Sequence, residues 1–169
     1  DKKHSGGGEM TIEVWMLAKV CGNGGILDKS SNGTAAHSPY AIWMSGSRLV
    51  AYMGQQSGGR VLVTADDDVM DKDEWTHVAI TIDDQRMSIY RNGVRAGFVK
   101  REAIETTDNG RPLLIGSIGK GIWPFNGLVD EVVIHKRALT EVEIERRASY
   151  RPETVEPAGP PIMTLLSPR

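Results

Sequence analysis

Trp75-Thr76-His77-Val78-Ala79-Ile80-Thr81-Ile82 is the stretch that decides the fold. It is rich in β-branched residues, which suit a pleated strand better than a helix. Asp83-Asp84-Gln85 turns the chain, and Met87-Ser88-Ile89-Tyr90 returns. Asn92-Gly93 turns it again, ahead of a third run from Val94 to Val99. Asn-Gly between two such runs is a strong hairpin signal, because a type I′ turn needs positive φ at both central positions. Three consecutive antiparallel strands are therefore expected here.

The same period-two pattern extends outward. Met10, Ile12, Val14 and Met16 alternate with Thr11, Glu13, Trp15 and Leu17, which predicts a strand. Gly22-Asn23-Gly24-Gly25 is a turn cluster, with a short strand starting at Ile26-Leu27. Tyr40 to Ser45 and Arg48 to Met53 read as a hairpin around Ser45-Gly46-Ser47. Val61-Leu62-Val63, Pro112 to Gly116 and Leu128 to His135 read as further strands. One short C-terminal helix is expected over Glu141 to Arg147. Thr140 and Glu143 form a capping box, with acidic residues in the first turn and arginines in the last. About ten short strands with little helix predict an all-β chain, a sandwich of two antiparallel sheets.

Composition agrees. The chain has 169 residues, the size of one domain with a tail. Glycine is abundant, 19 residues or about 11% against a typical 7%. Twenty Lys plus Arg stand against 22 Asp plus Glu, a net charge of −2. That balance argues against a sequence-wide footprint for nucleic acid or an anionic membrane surface. No apolar run reaches the roughly 18 residues that would span a bilayer, so membrane insertion is not expected. Cys21 is alone, which rules out an internal disulfide. Asp1 to Glu9 is polar and Gly-rich and reads as a flexible segment before a domain at 10–150. Residues 151–169 carry Pro152, Pro157, Pro160, Pro161 and Pro168 and read as a Pro-rich tail or linker. Within it, Ile162 to Leu166 reads as a strand, either packed on this domain or opening a following one.

Seven strings in order resemble one family. They are Thr11-Ile12-Glu13-Val14-Trp15, Gly25-Ile26-Leu27-Asp28-Lys29, Tyr40-Ala41-Ile42-Trp43-Met44, Glu74-Trp75-Thr76-His77-Val78-Ala79, Ile89-Tyr90-Arg91-Asn92-Gly93-Val94, Pro112-Leu113-Leu114-Ile115-Gly116, and Phe125 to Ile134 followed by Arg137-Ala138-Leu139-Thr140. Over residues 10 to 148 the chain resembles the laminin-G-like, concanavalin A-like lectin/glucanase jelly-roll domains. In that family an earlier strand with an Asp-bearing loop precedes the Thr-Ile-Glu strand. Here Asp1 to Glu9 precedes it. Either the domain is truncated, or another segment such as Ile162 to Leu166 fills the sheet edge.

The resemblance implies a jelly roll and a structural Ca²⁺ held by Asp130 with carbonyls from the Cys21 to Gly25 turn, Asn23 and Gly24 among them. Ca²⁺ takes six to eight oxygens, many of them carbonyls in tight loops. The acidic run Asp66-Asp67-Asp68 with Asp71, Asp73 and Glu74 lacks the glycine and the distal glutamate of an EF-hand, and reads as a solvated loop. The glucanase members carry Glu-x-Asp-x-Glu on one strand, which sets two carboxylates on one face. No such triplet exists here, and Asp130-Glu131 are adjacent, so they point to opposite faces. Pairing Cys21 with His77 or His37 as a thiol dyad has little behind it. The chain is therefore expected not to be an enzyme.

Four tryptophans remain. Trp15 and Trp75 sit in the shared strings and are expected to pack structurally. Trp43 either lines the concave sheet or packs between sheets. Trp123, between Ile122 and Pro124, is either a lid over the core or an exposed contact. His37 and Tyr40 lie at a loop-to-strand junction and could supply polar partners. His77 reads as a satisfied core histidine, and His135 as a surface or capping one. The resemblance, with these residues, implies a non-catalytic module of a larger exported protein: extracellular, at the cell surface or periplasmic, and monomeric as an isolated domain. Its expected partner is a glycan. The alternatives are adhesion to an extracellular protein, or a spacer with no ligand.

Overall fold

A computed structural model describes residues 8–29, 39–54, 60–66, 70–100, 110–119 and 121–150. Ten strands and one helix follow each other along the chain: β1 (Met10–Ala18), β2 (Gly24–Asp28), β3 (Tyr40–Ser45), β4 (Arg48–Gly54), β5 (Arg60–Thr64), β6 (Trp75–Ile82), β7 (Arg86–Arg91), β8 (Val94–Lys100), β9 (Leu114–Ile115), β10 (Gly127–His135) and α1 (Glu141–Ala148). They form two antiparallel five-stranded sheets, ordered β10-β1-β6-β7-β8 and β5-β4-β3-β2-β9. This is the expected jelly-roll sandwich.

The decisive stretch holds its predicted bounds as β6. Ile80 and Ile82 point between the sheets, and Thr81 points away from them. At the β7–β8 turn Asn92 and Gly93 have φ of 48° and 85°, the left-handed values of a type I′ turn. Gly93 is also needed for space, because a Cβ there would meet the Glu145 backbone at 3.0 Å.

Ile12, Val14 and Met16 of β1 face Ile26, Ile42, Met44, Leu49 and Met53 across the interior. Burying a side chain of this kind contributes roughly 1.5–3 kcal/mol. β1 differs from a simple amphipathic strand because both of its faces are buried. The outward residues Thr11, Glu13 and Trp15 are covered because α1 and its approach cross that face. Leu139 and Ile144 pack there on Ala79 and Tyr90. Thr11 Oγ1 donates to the Arg137 carbonyl at 3.0 Å and accepts from the Leu139 N–H at 2.8 Å.

The expected strand at Pro112 to Gly116 shortens to Leu114–Ile115. Pro112 has no N–H to give a ladder, and Gly116 takes φ of 80°. The Thr140–Glu143 capping box is present in full. Arg137 grips Glu143 through two nitrogens at 2.6 and 2.9 Å. That fork, with the Thr140 N–H, holds the Glu143 carboxyl down to about 2. Thr140→Ala is expected to cost about 1 kcal/mol and lower Tm by about 2–4 °C, read by calorimetry. An unchanged Tm would mean the cap contributes nothing. The strand expected at Ile162 to Leu166, the Pro-rich segment and residues 1–7 lie outside the described residues.

Candidate functional site

Two places gather functional side chains. The first is the outer face of the sheet that contains β3. Period-two alternation sends Ile42 and Met44 inward and Trp43 and Ser45 outward. In register with them, Trp43 sits opposite Val50 and Ser45 opposite Arg48, while Tyr52 stands opposite Ala41 and Leu62. The half-buried Trp43 ring meets Tyr52 edge-on, with centroids 5.7 Å apart. Such a pairing fixes an indole plane. Trp43 thus does not pack between the sheets.

On its other side Trp43 pairs with Gly25 of β2. The Gly25 N–H donates to the Trp123 carbonyl at 2.9 Å, which brings the segment carrying Trp123 to the same edge. Further bonds hold that segment down. Gly116 N–H donates to the Ile26 carbonyl, and Phe125 N–H to the Gly116 carbonyl. Gly119 N–H donates to Asp28 Oδ2 at 2.7 Å. Gly25 must be glycine: a Cβ there would stand 2.4 Å from the Ile118 nitrogen. Trp123 itself is 47% exposed. Asn23 is exposed at the same rim, where its Oδ1 accepts from the Gly46 N–H. Trp43 and Trp123 thus border one glycine, with Ser45, Arg48 and Asn23 close by in the ladder and its turns.

The other expected site residues lie elsewhere. Tyr40 is 8% exposed and belongs to the interior cluster, so it is core rather than a polar contact at a loop junction. The cause is parity: it shares its side of β3 with Ile42 and Met44. His37 lies outside the described residues. Asp130 is on β10 opposite Trp15, and its Oδ1 accepts the Glu131 N–H. Gly24 is on β2 in the other sheet, against the backbone of Pro124 and Phe125. Three steps along β10, about 10 Å of strand rise, lead from Gly127 near that corner to Asp130. Calcium needs its oxygens at 2.3–2.6 Å. Asp130 and Gly24 lie on strands of different sheets, and among the described residues no group of three or more His, Cys, Asp or Glu side chains could hold a metal.

Cys21 Sγ donates to the Met70 carbonyl at 3.3 Å, away from His77. Of the acidic run, Asp73 pairs with Lys19 at 2.8 Å, and that contact lowers its carboxyl. Asp67 and Asp68 lie outside the described residues.

The second place escaped sequence reasoning. Glu13, 3% exposed, stands on the outward side of β1. Its Oε1 takes His135 Nε2 at 2.7 Å. Its Oε2 takes His77 Nε2 at 3.3 Å and the Arg147 Nε–H of α1. Burial pushes the Glu13 carboxyl up, but the bonds from His77 and Arg147 outweigh it and hold the carboxyl below its ordinary value. His77 Nδ1 is buried without a hydrogen-bond partner. His77 is therefore a core histidine satisfied on one side only. Trp15 packs beside it, ring centroids 5.2 Å apart. A cavity of about 510 Å³ opens here, lined further by Glu131, Val133, Arg146 and Tyr150. Glu13 spends its charge on groups of the chain itself, so the cluster fastens α1 to the sheet. The available signal was a lone Glu at an outward position between β-branched residues.

The chain matches a family model described as the concanavalin A-like lectin/glucanases superfamily over residues 1–145. No curated protein matches it by sequence. It is similar in structure to the binding domain of Paraclostridial Mosquitocidal Protein 1, with 20% identity and a TM-score of 0.62, over 83% of this chain and 37% of that one. It is also similar to HCR/D-Sa-GBL1/C, with 16% identity and a TM-score of 0.63, over 84% and 36%. The chain thus spans little more than a third of either neighbour, and the likeness is one of fold.

Proposed function

The chain belongs to the concanavalin A-like lectin/glucanase superfamily, and we propose that it is a non-catalytic binding module whose ligand is a glycan. The observation that carries this is the exposed Trp123, whose backbone carbonyl is held by Gly25, the residue that pairs with Trp43 in the ladder. Sugars offer flat C–H faces that lie on an indole, and hydroxyls that bond to Ser45, Asn23 and Arg48. Aromatic surface gives apolar contact at little conformational cost, since only two torsions are fixed. The absence of a Glu-x-Asp-x-Glu triplet supports a role without hydrolysis. The structural neighbour named as a binding domain is in keeping with it. The proposed setting is a larger exported protein. Among the described residues no helix is long and apolar enough to cross a membrane.

A glycan array with the purified chain, run with Ca²⁺ and with chelator, tests the reading. One sugar class is expected to bind in both arms. Trp123→Ala and Trp43→Ala are each expected to weaken that binding by roughly 30-fold, the scale of a central aromatic contact. Silence in both arms would overturn it. The second reading, a protein partner, draws on Ile122 and Ile115, both more than half exposed along the same edge.

A further inference from the structure

Asp28 is a carboxylate with no solvent exposure, on the outward side of β2. A buried carboxylate is costly unless it is hydrogen-bonded, and an apolar residue would fill that position of a sheet more cheaply. The Gly119 N–H meets its Oδ2 at 2.7 Å, the length of a charge-assisted bond. Gly119 has φ of 56° and is itself buried. Four residues later the same segment presents Trp123. Between them, the Ile122 N–H donates to the Ile118 carbonyl at 3.0 Å and closes a turn. The segment is thus fixed at its start by Asp28 and at its end by the bond from Gly25 to Trp123. Without the first clamp, the stretch between Gly116 and Trp123 would keep only its backbone staples.

We propose that Asp28 is a positioning residue of the glycan site: it orders the segment before Trp123, so the indole is set before a ligand arrives. The inference rests on the glycan reading of that site. It touches no ligand itself. Its contribution is preorganisation, which raises affinity by removing the ordering cost from the binding step.

The test uses Asp28→Ala, with Asp28→Asn as the variant that retains an acceptor oxygen. Amide exchange at Gly119 and Gly25 is expected to quicken by about 100-fold in Asp28→Ala, while exchange at Ile80 in the core is unchanged. The Trp123 indole N–H is expected to lose order in NMR relaxation, and acrylamide to quench that ring more strongly. Binding to the immobilised array oligosaccharides is expected to fall about tenfold. Asp28→Asn is expected to lie between the two, and it carries the test should the alanine variant not fold. In a Trp123→Ala background, Asp28→Ala is expected to cost no further affinity, whereas general destabilisation would add. An indole as ordered in Asp28→Ala as in the parent chain would overturn the proposal. So would array binding that stays within twofold of the parent. Array binding untouched by Trp123→Ala would instead sink the glycan reading, and with it the role in binding assigned to Asp28.

Discussion

Glu13→Ala is expected to lower the unfolding free energy by about 3–5 kcal/mol, the usual consequence of removing one side of a buried ion pair. For a chain of this size that corresponds to a fall in Tm on the order of 10 °C. The reason is asymmetry. The substitution removes one carboxylate and strands three groups built around it, His77, His135 and Arg147. The His77 ring would then lack a partner at both nitrogens, since Nδ1 already lacks one. Glu13→Gln keeps the shape and part of the bonding, and is expected to cost less. Calorimetry with a double-mutant cycle against Arg147→Ala checks this, and a Tm loss under 3 °C for Glu13→Ala would refute it. The same cluster sets a pH dependence. The Glu13 carboxyl is depressed in the folded chain, so its stabilisation is full above the unfolded carboxyl's range. It is lost as pH falls through the lower folded value. Parent and Glu13→Gln stabilities should therefore converge in acid and separate towards neutral pH.

Gly25→Ala is the second large effect. The new methyl would enter the space of the Ile118 nitrogen and the Ser117 carbonyl carbon, both within 2.5 Å of an ideal Cβ. These are backbone atoms, so the whole segment from Gly116 to Phe125 must lift. The expected cost is about 1–3 kcal/mol from overpacking. The functional cost exceeds the stability cost, because the lift breaks the bond from Gly25 to the Trp123 carbonyl. Array binding is expected to fall at least as far as in Trp123→Ala. Gly22→Ala is the control: the nearest atom to its Cβ is a Val20 methyl at 4.0 Å. A Gly25→Ala chain with parental affinity would show that Trp123 binds nothing there.

Much of the sandwich was legible in the chain because its signals are local. Asn92-Gly93 encodes its own turn, Thr140 and Glu143 their own cap, and alternation in Trp75 to Ile82 its own pleat. The two tryptophans at the rim could be nominated for the same reason. Which face Trp43 would take, and that Tyr40 would turn inward, depended on the parity of one strand against the interior. The two buried carboxylates were illegible for another reason. Glu13 meets Arg147 across 134 residues, and Asp28 meets Gly119 across 91. No spacing rule links such positions, and only the closed sandwich brings them together.

The direction of β1 sets which pole of the sandwich each of its ends reaches. Its nine residues run about 30 Å, from Met10 beside Ile82 to Ala18 beside Gly127. The Trp123 rim follows directly from the Ala18 end, where the Lys19 N–H bonds the Asn126 carbonyl. Chain arriving at Met10 therefore joins at the pole opposite the indole. Met10 and the Trp123 rim thus stand a full strand length of the sandwich apart.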